Sequence, residues 1–256
     1  MPSHLSLRRL HLGILKTGFT TPLRQPMNHT RIYKTFVHKE AFFRICCQTF
    51  EAVTLEIIRQ REILEEYIKR HPDFQRSFKP LELISKAPEV AQRMARAAYL
   101  VGVGPMAAVA GAMAQLAVEA GIRAGAREVI VDNGGDIYLQ TTEPVIIGLY
   151  PGDSGPLGQL AFSLQACDTP LSICSSSGKM GHSISLGQCD LATVVAKDAA
   201  LADAAATQAA NLVKTVSDVE QALQRIVVVE GIDGVMIVKE GHVGLAGKLP
   251  PLVKTR

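Results

Sequence analysis

Hydrophobic residues recur along this chain with two periods, and the changes of period divide it into elements. Arg31 to His38 and Ala41 to Gln48 are rich in Ile, Phe, Tyr and Val with charged interruptions, which predicts two strands of a hairpin. From Thr54 to Arg70 the period lengthens. Leu55, Ile58, Leu64, Tyr67 and Ile68 fall near one face with charges opposite, and His71-Pro72 ends the run, so an amphipathic surface helix is expected. After a loop containing Pro80, Pro88 suits the first turn of a second helix that reaches about Leu100 and is closed by Gly102 and Gly104.

The stretch from Val101 to Gln140 organises the rest. It reads as a glycine turn, a helix of small residues from Met106 to about Ala124, a strand from Arg127 to Asp132, the tetrad Asn133-Gly134-Gly135-Asp136, and a continuing strand from Ile137 to Gln140. Small side chains there let backbones approach each other or a ligand closely. Further strands are expected at Val145 to Tyr150, Leu160 to Gln165, Leu171 to Cys174 and Ala192 to Ala196, with PGDSGP a turn between two of them. Helices from Ala200 to Val213 and from Asp218 to about Arg225 follow, then a hairpin of Val235 to Val238 and Val243 to Ala246 around Glu240-Gly241. Strands and helices mix without regular βαβ alternation, so the class is α+β.

Composition narrows the function classes. The chain has 256 residues and is 47% hydrophobic and 20% charged, enough to bury a sizeable core. The formal charge of +3 is concentrated before Met27, where Arg8, Arg9, Lys16 and Arg24 stand with no acid. That leader reads as disordered or as an upstream start, residues 1–26, with one domain over 27–256. The remainder is near neutral, without the basic stripe that nucleic acid requires. Five cysteines, Cys46, Cys47, Cys167, Cys174 and Cys189, have no framework spacing and point to a reducing cytoplasm. Tyr99 to Val118 carries no charge and is about long enough to span a bilayer. Its Ala and Gly content, with Pro105 and Gln115, fits a buried soluble helix better, so no membrane is expected.

The candidate chemistry lies in three places. The GVGPMA turn follows a helix rather than a strand and lacks a P-loop lysine, so a dinucleotide fingerprint is set aside. In Ala199 to Asn211, Asp203 and Thr207 are four apart, which puts a carboxylate and a hydroxyl on one helix face between alanines. Both are hard oxygen ligands of the kind magnesium takes along with phosphates and water. Such a pair also occurs as a plain polar stripe. The segment Ser175 to Ile184, SSSGKMGHSI, offers hydroxyls and free amides for phosphate oxygens, with Lys179 and His182 to add charge; as a structural element it is a hairpin loop. The G-x-S-x-G elbow of a serine hydrolase is absent.

The order of these motifs, a small-residue helix, NGGD after a strand, SSG…H-S-I and then A-D-A-A-A-T, is similar to the ApbE superfamily of flavin transferases. From about Met27 the chain resembles that superfamily's side branch, uncharacterised protein family 0280, including YIKRHPDF and GVGPMAAVAG. The resemblance implies an ApbE-like fold of antiparallel sheets packed by helices in two T-fold-like halves. It implies binding of FAD with Mg2+ and transfer of FMN to a Ser or Thr of an acceptor protein. It also implies a metal held by Asp203, Thr207 and the carbonyl of Ala110, with Asp203, Thr207 and His182 as the catalytic set. Asn133, Gly134, Gly135, Asp136, Ser177 and Gly178 then lie near the flavin.

Two departures bear on activity. Ala110-Gly111-Ala112 stands where the transferases have Ala-Lys-Gly, and the loop after His182 lacks their Asp-Pro element. Two alternatives follow. The side branch's link to sulfide assimilation suggests a persulfide on a cysteine, since Cys46 and Cys47 are adjacent and Cys174 and Cys189 flank the serine loop. A non-catalytic nucleotide-binding module is the other, with Tyr138 and Tyr150 as stacking candidates, and a homodimer stays open.

Overall fold

The computed structural model describes residues 31–82, 86–151, 159–178 and 187–255. The predicted leader, most of the PGDSGP turn, and Lys179, His182 and Ile184 of the serine-rich loop lie outside these residues.

Strands β1 (Lys34–His38) and β2 (Ala41–Cys47) form the expected hairpin, and α1 (Phe50–Arg70) follows with Val53, Ile57, Leu64 and Tyr67 buried. Leu55 is the exception among the predicted contact residues, being exposed. A one-turn helix α2 (Asp73–Arg76) and a helix α3 (Glu89–Val101) come next; Gly102 ends α3 in the left-handed conformation, where glycine carries no Cβ penalty. A 3-10 turn at Pro105–Ala108 leads into α4 (Val109–Arg123). The chain then runs through β3 (Val129–Asn133), β4 (Asp136–Gln140), β5 (Val145–Gly148), β6 (Leu160–Leu164), β7 (Leu171–Ser176) and β8 (Leu191–Ala196). Helices α5 (Ala199–Leu212) and α6 (Val219–Val227) precede β9 (Ile232–Lys239), β10 (His242–Gly247) and β11 (Leu252–Lys254).

Eight strands make one antiparallel sheet in the order β1-β2-β3-β4-β7-β8-β9-β10, and β11-β6-β5 make a second, three-stranded one. Residues alternate between the two faces of the large sheet. Val129, Val131 and Tyr138 point to the helices, while Ile130, Leu139, Ile173 and Val195 point to the small sheet. Each face therefore has its own core. The helix layer is built around α5, which lies on β7 and β8 beside α4 on β3 and β4, with α3 packed against α5. The apolar stretch Tyr99 to Val118 is divided between α3 and the helical run Pro105–Arg123, which belongs to this layer and has 61% of its apolar window buried. Arg31 fixes the chain at its first described residue: its guanidinium donates to both oxygens of Glu128 at 2.8 and 2.9 Å and to the carbonyls of Pro144 and Glu143.

Candidate functional site

Helix α5 supplies the centre of the site. Every residue from Ala199 to Ala206 is buried, and Asp203 is the one charged residue in the helix. Alanine methyls let α5 lie close to its neighbours, and the closest approach is at Gly111 of α4. A Cβ there would stand 2.1 Å from the carbonyl oxygen of Ala199 and 2.9 Å from Cβ of Asp203, so only glycine fits. The Gly111 N–H donates to Oδ2 of Asp203 at 2.9 Å. Asp203 thus satisfies, from a second helix, one of the donors that the first turn of α4 leaves open.

The tetrad Asn133-Gly134-Gly135-Asp136 is a two-residue hairpin joining β3 to β4. Gly134 and Gly135 have φ of +68° and +106°, the left-handed backbone such tight turns demand, and the Gly135 N–H donates to Oδ1 of Asp132 at 2.9 Å. Asn133 pairs with Asp136, and Asp136 in turn with Cys174. Directly paired residues share a face of the sheet. That face is the helix side, because Asn133 Nδ2 donates to the Ala110 carbonyl at 3.2 Å and the Cys174 thiol donates to the Ala199 carbonyl at 3.6 Å. Asp136 therefore lies beneath α5, next to Asp203. Its Oδ1 is buried with no hydrogen-bond partner among the described residues.

Burial dominates the electrostatics of this pair. It pushes the Asp203 carboxyl up to about 7, against the opposing pull of the Gly111 and Ala110 N–H groups. The Asp136 carboxyl is raised well above the usual carboxylate range, first by burial and then by the charge of Asp203, with the Cys174 thiol acting in the opposite sense. Both side chains are 8% exposed. Around them Ala110, Asn133, Gly135, Ser175 and Thr207 are half-buried, so the two carboxyls sit just below an accessible rim. Buried carboxylates this close repel each other, and a cation between them removes that repulsion.

Of the residues singled out in the sequence, Asp203, Ala110, Asn133 and Asp136 meet here. Thr207 lies one turn further along the same face of α5, within the rim. The Ala110 carbonyl and the Gly111 N–H are the two ends of one trans peptide, so they point in opposite directions: Asn133 takes the first and Asp203 the second. Ser177 and Gly178 form the base of the serine-rich loop instead of facing Asp203. Ser177 Oγ donates to the Cys189 carbonyl at 3.5 Å and Gly178 N–H to the same carbonyl at 2.9 Å. That base rests on the C-terminal end of α5, because a Cβ at Gly187 would stand 1.9 Å from the Ala210 carbonyl oxygen. Two stacking candidates separate as well: Tyr138 is in the core, whereas Tyr150 is 59% exposed.

The cysteines do not favour the sulfur reading. Cys174 and Cys189 are fully buried, and burial raises the Cys174 thiol well above its ordinary value and that of Cys189 to about 12. Burial raises Cys46 too. A persulfide carrier needs the reverse, a lowered thiol pKa with some exposure. No group of three or more His, Cys, Asp and Glu side chains placed to hold a metal occurs among the described residues. Two surface clefts, of about 550 Å³ between α1 and Lys86–Pro88 and about 400 Å³ at the start of α1, lie away from Asp203.

The fold is shared with solved structures of ApbE flavin transferases. The apo flavinyl transferase ApbE of Pseudomonas stutzeri superposes with a TM-score of 0.51 at 13% identity, over 87% of this chain and 98% of that one. The ApbE protein of Thermotoga maritima does so at 0.56 and 12% identity, over 86% and 97%. At such identities the likeness is one of fold. The family follows from sequence: a profile described as "AbpE bacteria" matches residues 39–243. A UPF0280 protein of Archaeoglobus fulgidus is 41% identical over 229 residues, 85% of this chain and 92% of that protein. Another from Methanocaldococcus jannaschii is 40% identical over 204 residues, 78% and 82%. The chain belongs to the UPF0280 family and has the ApbE fold.

Proposed function

We propose that this chain binds a flavin nucleotide, FAD, together with Mg2+ at Asp203 and Thr207, and serves transfer of FMN to a Ser or Thr hydroxyl of an acceptor protein. One observation carries the reading: two buried carboxyls lie side by side just below an accessible rim, one of them with an orphaned oxygen. Hard carboxylate oxygens are the donors that Mg2+ takes along with phosphates and water, so the residues present fit the ion. When bound, the cation neutralises pyrophosphate charge. The Gly134-Gly135 hairpin presents main chain at the rim, where a flat ligand can approach without meeting side chains. In the transfer, the hydroxyl oxygen bonds the FMN phosphorus, the bond from that phosphorus to the AMP oxygen breaks, AMP leaves with the electron pair, and the hydroxyl proton passes to solvent. Gly111 offers no charge to the leaving group where the transferases carry lysine; a cation held by Asp203 and Thr207 would supply positive charge there.

The test is calorimetric titration of FAD into metal-free protein with and without Mg2+, repeated on Asp203→Ala. Magnesium-dependent binding in the wild type that is lost in the variant supports the reading. Absence of binding under every condition sinks it. Binding without AMP release in the presence of a Ser/Thr acceptor leaves a nucleotide-binding module and removes the transfer.

A further inference from the structure

We propose that Asp136 is itself a ligand of the cation, binding it through Oδ1, so that β4 and α5 each supply one carboxylate. The inference rests on the reading above, that a divalent cation sits at Asp203. It changes which atoms hold that ion.

Four observations lead there. Asp136 is 8% exposed, and its Oδ1 has no hydrogen-bond partner among the described residues, an arrangement that buried polar atoms rarely keep without a reason. Asp136 is paired directly with Cys174 in the sheet, and the Cys174 thiol and the Ser175 N–H both act on its carboxyl against burial, which places the side chain between β7 and α5. Through its pairing with Cys174, whose thiol reaches the Ala199 carbonyl, Asp136 is directed at the first turns of α5, where Asp203 lies. Finally, the Ala110 carbonyl is occupied by Asn133, at the far end of the peptide from Asp203. A cation held by Asp203 and that carbonyl has to reach both ends of one trans peptide, whose C=O and N–H point in opposite directions. Two carboxylates with the Thr207 hydroxyl leave the remaining positions of a cation to phosphate oxygens and water.

Mn2+ is a suitable probe, because it prefers the same hard oxygen donors and its free form is counted directly by electron paramagnetic resonance. The full chain is titrated with Mn2+ alone and with FAD present, as wild type, Asp136→Asn and Asp203→Asn, with the metal-free melting temperature of each recorded. Asn keeps the size of the side chain. The expected result is that Asp136→Asn weakens Mn2+ binding by at least about tenfold, the lower bound for losing even a supporting residue of a metal site. Its metal-free melting temperature should be unchanged or higher, and the rise that Mn2+ gives the wild type should disappear. If Asp203→Asn loses Mn2+ while Asp136→Asn binds like the wild type, this inference is overturned and the parent reading stands. A lowered metal-free melting temperature in Asp136→Asn with unaltered Mn2+ affinity overturns it too, in favour of a structural role. If the wild type binds no Mn2+ with or without FAD, both fall.

Discussion

Replacing Asp203 by Asn should make the metal-free protein more stable, by more above neutral pH than in mild acid. The unfolded chain releases the Asp203 proton near 3.8, whereas the folded carboxyl holds it to about 7. Between those values the native state binds more protons than the unfolded one, so stability falls as pH rises through the window and has been lost in full above about pH 7. The shift of roughly three units corresponds to about 4 kcal/mol at 1.36 kcal/mol per unit, an upper bound because the two carboxyls titrate as a pair. Asp136, raised in the same sense, adds to the slope. The opposite shifts at Glu40 and Asp218 are those of exposed groups, present in both proteins, and cancel in the difference. The amide introduced at 203 still accepts from the Gly111 N–H, so the cap on α4 is kept. Urea unfolding with a chelator at about pH 5 and about pH 8 reads the effect: the variant should gain about 4 kcal/mol over the wild type at the higher pH and less than half of that at the lower. A variant that is less stable at both values, or a difference independent of pH, would refute the account of Asp203 as a carboxyl destabilised by burial.

Two further outcomes follow from the packing. Gly111→Ala forces a methyl to within 2.1 Å of the Ala199 carbonyl oxygen, so it should destabilise by about 1–3 kcal/mol although alanine is the better helix former. A neutral urea midpoint would mean that α4 and α5 separate at little cost. Thiol labelling of the native protein should modify the exposed Cys167 and spare Cys174 and Cys189, with all five reacting after denaturation; rapid native labelling of Cys174 would reopen the sulfur reading.

Much of this architecture can be read from local pattern. The β1–β2 hairpin, the helices and the NGGD turn each have a signal within a dozen residues, because period and turn chemistry are local properties. Strand β11 has none: Leu252–Lys254 is three residues long, follows Pro251, and becomes a strand only by pairing with β6. The pairing of β2 with β3, which inserts α1 to α4 between neighbouring strands, is likewise invisible to periodicity. So is the bidentate pair of Arg31 and Glu128 across 97 positions. In the site, the spacing of Asp203 and Thr207 puts both on one face of α5. The sequence also grouped Asp136 with the glycines before it, as part of one flavin-facing segment. In three dimensions the tetrad divides, since Gly134 and Gly135 make the turn while Asn133 and Asp136 point under the helices. Ser177, grouped with the phosphate donors in the sequence, has its hydroxyl donating to the Cys189 carbonyl, a long-range contact that no local pattern signals.

The carboxyl pair also decides between a structural and a functional origin for the site. Capping α4 needs only an acceptor for the Gly111 N–H, and Asn or Ser would serve without bringing a second negative charge next to Asp136. What two carboxyls add is negative potential in a dry place, which costs stability once they ionise and which protonation or a bound cation would relieve. Binding to the folded state alone stabilises by RT ln(1 + [L]/Kd), about 2.7 kcal/mol at a hundredfold excess over Kd, the same order as the deficit expected at alkaline pH. Saturating Mg2+ or Mn2+ should therefore flatten the fall in wild-type stability above neutral pH and do nothing for Asp203→Asn. Should the metal leave the wild-type pH profile as steep as before, the negative potential has some other counterpart, and the aspartates would have to be explained as structure.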